Sequence, residues 1–294
     1  MHRFFRAFFA AAATFALALG PSPVSAADHG DTPLLTSIGR SDAKITDLHA
    51  FVNGSNLVLA LSTNVNVPTS AATYTFPSDL VLTIHVDTDA AVSFADQTAN
   101  AAYGGKVLAP AQVSSNVRFK VKFKADGTPV LMAKGVAEIW ESQIAFFAGL
   151  RDDPFIRGNR AGRNVGSVVI EIPLAAIDAP QSTLLVWATS KVDDVFGPFQ
   201  DLAGRALRSM FPENDYMNTT SPSMHRGMMG VAPDVMIFDT SKPAIFPNGR
   251  APADDVIDLV GDVRVTSTDS PFPSANDLPF LGVFPYLANP HPAH

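Results

Sequence analysis

The sequence contains no cysteine among its 294 residues, and charged residues make up only 17% of it. Without cysteine the chain cannot form a disulfide, a thiolate metal site, an iron–sulfur cluster or a cysteine nucleophile. Acidic residues outnumber basic ones by 28 to 21, which gives a formal net charge of −7. A surface that follows nucleic-acid phosphates is therefore not expected.

Common catalytic signatures are also missing. The sequence has no G-x-S-x-G, H-E-x-x-H, Walker or G-x-G-x-x-G pattern. Convergent catalytic triads leave no such linear trace, so this absence disfavours an enzyme without excluding one. We therefore predict no catalytic residue.

Residues 1–26 have the layout of a secretory signal peptide. Two arginines precede an apolar run from Phe8 to Leu19, and small residues follow. The run is shorter than the roughly 20 residues that a membrane-spanning helix needs. We predict cleavage after Ala26, with cleavage after Ala27 as the alternative. The expected product is an exported protein, periplasmic or extracellular, with no membrane span after cleavage.

The rest of the chain predicts a mainly β fold. Residues Val117–Lys124 alternate apolar and basic without interruption, which is typical of a strand with one face on a core. Asp126-Gly127 then indicates a turn, and Leu131 begins a return strand. Further short apolar runs between turn residues predict buried strands at Leu57–Leu61, Leu80–Val86, Val168–Ile172 and Leu184–Ala188.

Helical patterns are few. Apolar residues at helical spacing between Phe199 and Met210, with a proline at either end, predict one helix. Residues 136–147 fit either an amphipathic helix or a strand. Since no repeat or long low-complexity linker divides residues 27–294, we predict one domain. The predicted architecture is a β-sandwich-like fold with long loops and one or two helical insertions.

Four segments, in order along the chain, carry a resemblance to a known family. They are Lys44–Phe51 (KITDLHAF), Phe146–Phe155 (FFAGLRDDPF), Gly249–Asp258 (GRAPADDVID) and Phe284–Ala288 (FPYLA). Together they resemble the bacterial secreted family catalogued as domain of unknown function 4331, over most of residues 28–290. The sequence departs from the family pattern at His49, where the family usually has tyrosine, and in a shorter loop after Asp87. The resemblance implies an exported β-rich domain and implies no reaction.

Acidic residues that stand near arginines in loops form the first candidate site. Loop aspartates usually cap turns or pair with arginine, so a ligand site and a structural clasp both stay open. The candidate residues are Arg151, Asp152, Asp153, Asp254, Asp255 and Asp258. We expect Arg151 to pair with a carboxylate, and we expect burial of the neighbouring rings of Phe146, Phe147, Pro154 and Phe155.

Calcium is the second candidate. Asp87 and Asp89 follow an apolar strand and Asp96 lies downstream, so one loop could present hard oxygen ligands. Calcium takes six to eight oxygens, more than any single acidic string here provides. Turn capping by the same aspartates is therefore the alternative.

Copper is the third candidate, at two places. If the mature chain begins at Ala27, its free amine, two amides and the His29 imidazole form a planar four-nitrogen set that suits Cu(II). Farther along, Met224, His225 and Met228 offer the thioether and imidazole ligands that favour copper. Methionine also fills gaps in cores, so structural use is the alternative.

These observations predict an exported, non-enzymatic β-domain that binds a small ligand, a metal ion or an exported partner protein through its Asp- and Arg-rich loops. A periplasmic copper-binding or copper-handling protein is the first alternative. An exported hydrolase or redox-associated subunit with an unrecognised site is the second. Calcium and copper are the candidate cofactors, and no nucleic-acid partner is expected.

Overall fold

Antiparallel strands dominate the chain in the computed structural model, which describes residues 32–64, 66–154, 161–193, 195–205, 212–225, 233–254, 256 and 275–294. The predicted signal peptide lies outside these residues. The strands are β1 (Ile45–Asn53), β2 (Asn56–Thr63), β3 (Val81–Asp87), β4 (Val92–Ser93), β5 (Lys106–Val107), β6 (Val117–Phe123), β7 (Pro129–Lys134), β8 (Ala145–Asp152), β9 (Asn164–Pro173), β10 (Thr183–Lys191), β11 (Asp201–Ala203) and β12 (Met236–Asp239).

The helices are short connections between these strands. The α-helices are α1 (Pro33–Ser37), α2 (Gln97–Tyr103) and α3 (Glu138–Glu141), and 3-10 turns lie at Ser41–Ala43, Pro110–Gln112, Leu174–Ala176, Pro212–Thr219 and Pro222–Met224. Among the described residues, no helix has the length and apolar character needed to cross a membrane.

The strands form two main sheets. The first sheet has the order β1-β2-β9-β8, and the second has the order β11-β10-β3-β6-β7, with β12 also paired to β10. Strands β4 and β5 make a small separate ribbon. All of these pairs are antiparallel, so one face of each sheet can be buried while the other meets loops or water.

The main core lies between the two sheets. Leu59 of β2 and Ile170 of β9 belong to the same buried cluster as Ile84 of β3 and Phe119 of β6. These side chains occupy alternate positions in their strands, which is the period expected when one face is buried. The mainly β, sandwich-like fold predicted from the sequence is confirmed.

A second apolar cluster covers part of the outer face of the second sheet. Leu185 and Trp187 of β10 pack there with Val107 of β5 and with Val113, in the connection between β5 and β6. The outer face of β10 is therefore buried at one end by the β4–β5 ribbon and the loop that follows it.

The predicted strands are confirmed. The alternating stretch Val117–Lys124 contains β6, and β7 returns after the predicted turn. The four apolar runs coincide with β2, β3, β9 and β10, except that Leu80 lies just before β3. The ambiguous stretch at 136–147 divides between α3 and the start of β8.

The helix predicted from Phe199 is wrong where the structure describes it. Residues Asp201–Ala203 form β11, which pairs with β10. Leu202 packs in the outer cluster and Ala203 in the main core, so these neighbours point to opposite faces. The Asp201 carboxylate also accepts the N–H of Ile45 at 2.8 Å. These long-range contacts outweigh helical propensity, which is a weak local preference.

A buried ion pair joins two of the four segments that carry the family resemblance. Arg250 Nη2 lies 2.6 Å from Asp47 Oδ1, and both side chains are buried. The backbones of Ala50 and Arg250 exchange two hydrogen bonds beside it. Gly249 has φ +65°, and a Cβ there would lie 2.7 Å from the Ala50 carbonyl oxygen. Glycine therefore permits this close approach of the loop to β1.

We expect Arg250→Met to lower the free energy of unfolding by about 3–5 kcal/mol, because it leaves the Asp47 carboxylate buried without its guanidinium. Urea denaturation measures this loss. Asp79→Asn is the matched control, since it breaks the exposed contact between Arg40 and Asp79 and should cost less than about 1 kcal/mol. Equal losses in the two variants would contradict a holding role for the buried pair.

Candidate functional site

The other two resembling segments also pack against each other, at the end of β8. Phe147 of β8 belongs to one apolar cluster with Tyr286 and Leu287. The Asp152 N–H donates to the Ala288 carbonyl oxygen at 3.4 Å. The segment from residue 284 onward is therefore held along the end of the first sheet.

Asn164 fixes the position of His291. Its Oδ1 accepts the His291 N–H at 2.8 Å, and its Nδ2 donates to the His291 carbonyl oxygen at 3.0 Å. Asn164 begins β9 and lies directly opposite Asp152 in the β8–β9 register. This pairing places the backbone of His291 next to the end of β8.

Two further residues complete the arrangement. Asp277 Oδ2 accepts the N–H of Gly162, just before β9, at 2.6 Å. Asn276 donates from Nδ2 to Asp152 Oδ2 at 2.5 Å and to the Leu278 carbonyl oxygen at 2.9 Å. Asp152 is thus oriented by an amide, while Asp277 is oriented by backbone.

Asp152, Asp277 and His291 bring one ligand atom each into a small cluster, in which all three atoms lie within 4.8 Å of one another. His291 Nε2 lies 3.1 Å from Asp152 Oδ1 and 3.2 Å from Asp277 Oδ2. The Asp152 side chain is 1% exposed. Within the described residues, neither Asp152 Oδ1 nor His291 Nε2 has a partner in hydrogen-bond geometry.

Burial raises the pKa of Asp152 to about 7. The hydrogen bond from Asn276 opposes this shift, while the negative charge of Asp277 adds to it. The carboxylate form of Asp152 is therefore costly in this place unless a positive charge comes close to it.

The distances from His291 Nε2 to the two carboxylate oxygens suit coordination of one metal ion. Two ligand atoms bound at about 2.1 Å lie about 3.0–3.4 Å apart when the angle between them is about 90–110°. The two distances from His291 Nε2 fall within this range. Among the described residues, this is the one group of three or more histidine and acidic side chains with such close ligand atoms.

The sequence pointed to Asp152 but missed Asp277 and His291. Asp152 stands in an acidic string, whereas neither His291 nor Asp277 has a neighbouring motif in the sequence. The three residues come from distant segments that meet only through the pairing of β8 with β9 and the Asn164 contact. No spacing in the sequence signals this meeting.

Arg151 lies on the opposite side of β8 from Asp152. Its guanidinium stacks over the Phe147 ring at 4.2 Å and donates to Asn289 Oδ1 at 3.2 Å. Contrary to expectation, it contacts no carboxylate in the described part of the chain. The reason is the two-residue period of a strand, which turns Arg151 and Phe147 to one face and Asp152 to the other.

The expected burial of the rings around Arg151 is only partly met. Pro154 is buried, but Phe146 and Phe147 are half-buried. β8 is an edge strand of the first sheet, which leaves its side chains less covered than those of β9. Phe155 lies outside the described residues.

The two remaining acidic candidates in the described part of the chain, Asp153 and Asp254, form hydrogen bonds with loop backbone. Asp254 Oδ2 accepts the N–H groups of Phe246 and Ala251 at 3.0 and 2.8 Å. Asp153 is buried, and its N–H donates to the Arg163 carbonyl oxygen. Asp255 and Asp258 lie outside the described residues.

The three calcium candidates do not converge. Asp87 is buried and accepts the N–H groups of Asp89 and Ser114. Asp89 is exposed, and Asp96 caps the N-terminus of α2 through the Ala99 N–H. The contacts of Asp87 and Asp96 agree with the alternative role of capping turns and helix ends. The three carboxylates form no close group in the described structure.

The copper candidates Met224 and His225 also differ in their surroundings. Met224 is 62% exposed, whereas His225 is buried. The Asp234 N–H donates to His225 Nδ1 at 3.2 Å, and His225 Nε2 lies 2.9 Å from the Thr220 carbonyl oxygen. Both ring nitrogens are thus engaged, and a metal would have to displace one of these contacts. His29 and Met228 lie outside the described residues.

Comparison of the chain with protein families, with curated proteins and with solved structures finds no match. The resemblance to the secreted bacterial family stays a prediction. The functional argument therefore depends on the geometry of the chain itself.

Replacing Asp87 by asparagine should change how stability depends on pH. Burial raises the pKa of the Asp87 carboxyl to about 6, so the folded protein holds this proton more tightly than the unfolded chain between about pH 4 and 6. The stability that this group contributes is present at low pH and is lost as the pH rises through about 6. Urea titrations across this range should show a smaller decline for Asp87→Asn.

Asp126→Asn is the control for this experiment. Hydrogen bonds from the Thr128 side chain and backbone lower the pKa of Asp126, so its contribution is lost as the pH falls. The control should retain the decline that Asp87 causes. A decline of equal size in the wild type and in Asp87→Asn would contradict the effect of burial on Asp87.

Proposed function

We propose that this chain is an exported, non-enzymatic β-domain that binds a divalent metal ion through Asp152, Asp277 and His291. The observation that carries the proposal is the contact between a buried carboxylate oxygen and a ring nitrogen that lie 3.1 Å apart without hydrogen-bond geometry. The second carboxylate, on Asp277, faces the same nitrogen. A cation between these atoms would satisfy Asp152 Oδ1 and His291 Nε2 and would also be coordinated by Asp277 Oδ2.

The competing arrangement is a protonated His291 held between two carboxylates. A single N–H at Nε2 can be directed well at one acceptor only, and here it is directed at neither Asp152 nor Asp277. A metal ion instead uses the lone pair of a neutral imidazole and can accept both carboxylates together. The geometry therefore favours metal coordination over an ion pair.

The donor set favours zinc over the ions suggested by the sequence. One imidazole and two carboxylates fit Zn²⁺, which binds such nitrogen and oxygen atoms at about 2.0–2.2 Å. Calcium prefers a shell of six to eight oxygens, and Cu(I) prefers sulfur ligands. Three protein ligands would leave a fourth position of the zinc ion open to water or a small ligand.

Contacts around the ligands support a preformed site. Asn164 holds the backbone of His291 by two hydrogen bonds, Asn276 holds the Asp152 carboxylate, and the Gly162 N–H holds the Asp277 carboxylate. Such outer contacts fix ligand orientation and raise affinity. A bound ion would join the end of β8 to the segments that carry Asp277 and His291, and so would stabilise the fold.

Export is supported by the sequence of residues 1–26, with its basic start and its short apolar run. N-terminal sequencing of protein recovered from the native cell envelope tests this part of the proposal. A chain that still begins at Met1 in the cytoplasm would contradict it.

We expect Zn²⁺ to bind with one ion per chain and to raise the melting temperature. At a free concentration of about 100 times Kd, the ion should add about 2.7 kcal/mol of stability, which is a shift of several degrees for a domain of this size. His291→Gln should weaken binding at least about tenfold, since it removes one of three ligands. Calorimetry and thermal melts measure the two effects.

His294→Gln is the matched control, because His294 is exposed and its Nδ1 contacts only the nearby Pro292 carbonyl oxygen in the described structure. Its zinc affinity should equal that of the wild type. Identical melting curves with a chelator and with Zn²⁺ would refute the metal site. An equal decrease in zinc affinity in His291→Gln and His294→Gln would indicate adventitious binding at the surface.

A further inference from the structure

The outer face of the second sheet carries an ordered set of side chains that the metal site does not use. The β10–β3–β6–β7 register places its members in three rows, and we call the whole set the basic face. The rows are Lys191, Val81, Lys122 and Val130; Thr189, Thr83, Lys120 and Met132; and Trp187, His85, Arg118 and Lys134.

These side chains point away from the core because their strand neighbours point into it. Leu82, Ile84, Phe119 and Val121 alternate with members of the basic face and belong to the main buried cluster. Val130 and Met132 of β7 remain 36% and 39% exposed. The face is therefore a flat sheet surface, open near β6 and β7.

The basic face contains five cations and no carboxylate, although the chain as a whole has a net charge of −7. The two nearest acids in the adjoining cleft have other partners. Asp79 pairs with Arg40 at 2.7 Å, and Asp193 accepts the N–H groups of Val195 and Phe196. Positive charge is thus concentrated on this surface.

Two further observations describe the charge at this surface. Lys120, Lys122 and Lys191 line one cleft of about 300 Å³, and the lining also includes Val81, Asp79 and Asp193. Burial lowers the pKa of His85 to about 3, and the positive charges of Arg118 and Lys120 add to that shift.

The spacing of the cations favours an extended ligand. Arg118, Lys120 and Lys122 occupy alternate positions of β6, so they repeat at about 6.8 Å along the strand. Side chains on one side of any extended polypeptide repeat at the same distance. Val130 and Met132 flank this column of cations one strand away, about 4.8 Å in the sheet, and offer apolar surface to the stems of the ligand's side chains.

We propose that the basic face binds an extended segment of a partner protein that carries Asp or Glu at alternate positions. The acidic side chains would lie over the β6 cations Arg118, Lys120 and Lys122. A nucleic acid fits less well, because Trp187 is buried and the described face presents no exposed aromatic ring for base stacking. Two half-exposed apolar side chains on a flat sheet are also a poor anchor for a bilayer.

A labelled peptide that alternates Glu and Thr tests the proposal against a peptide of the same composition with all Glu residues in one block. Fluorescence anisotropy with the full chain should show tighter binding of the alternating peptide. Salt screens the attraction between exposed charges. Raising the salt concentration from about 50 mM to about 500 mM should therefore weaken binding of the acidic peptide to the basic face.

Lys120→Glu/Lys122→Glu should weaken binding of the alternating peptide by at least about tenfold, because it places like charges opposite the ligand. Lys120→Gln/Lys122→Gln removes charge without adding repulsion and should give a smaller loss. Lys106→Glu/Arg163→Glu is the matched control, since it makes the same change in net charge at exposed positions outside the face. Thermal melts show whether each variant is folded.

Equal binding of the two peptides would overturn the proposal, because spacing would then play no part. Equal losses in the Lys120/Lys122 and Lys106/Arg163 variants would show a general charge effect and would overturn it as well. Tighter binding of a single-stranded oligonucleotide or of phosphatidylglycerol vesicles, lost in the Lys120→Glu/Lys122→Glu variant, would assign the face to that ligand instead.

Discussion

Burial of an aspartate carboxylate is costly unless its oxygens are hydrogen-bonded or paired, and this chain buries several near the ends of its strands. Asp201 accepts the Ile45 N–H and so ties β11 to β1. Asp87 accepts the Ser114 N–H and ties the end of β3 to the loop that leads into β6. These contacts hold long connections against the sandwich in a chain that has no disulfide to do so.

Asp152 follows the same constraint only in part. Its Oδ2 is held by Asn276, whereas its Oδ1 faces the His291 ring without hydrogen-bond geometry. The surrounding residues are nevertheless well fixed, because Asn164 holds the His291 backbone at two points. This unsatisfied oxygen within an ordered shell supports our proposal of a metal ion, whose positive charge would complete the arrangement.

Local patterns and long-range contacts explain what the sequence could predict. The alternation in Val117–Lys124 identified β6 correctly, because burial of one face imposes a period of two. The apolar spacing after Phe199 suggested a helix, but pairing of Leu202 with β10 decided the outcome. For the same reason Asp152 was a visible candidate in its acidic string, while His291 became one only through its contact with Asn164.

The arrangement of charge at β7 has a consequence for self-association. Within the described residues β7 pairs with β6 on one side only, and an open strand edge is a route to aggregation. Two copies that approached through this edge or through the neighbouring face would bring Lys120, Lys122 and Lys134 against their own duplicates. Repulsion between these like charges would disfavour association of two copies through this surface. An acidic segment of another protein would meet no such repulsion there.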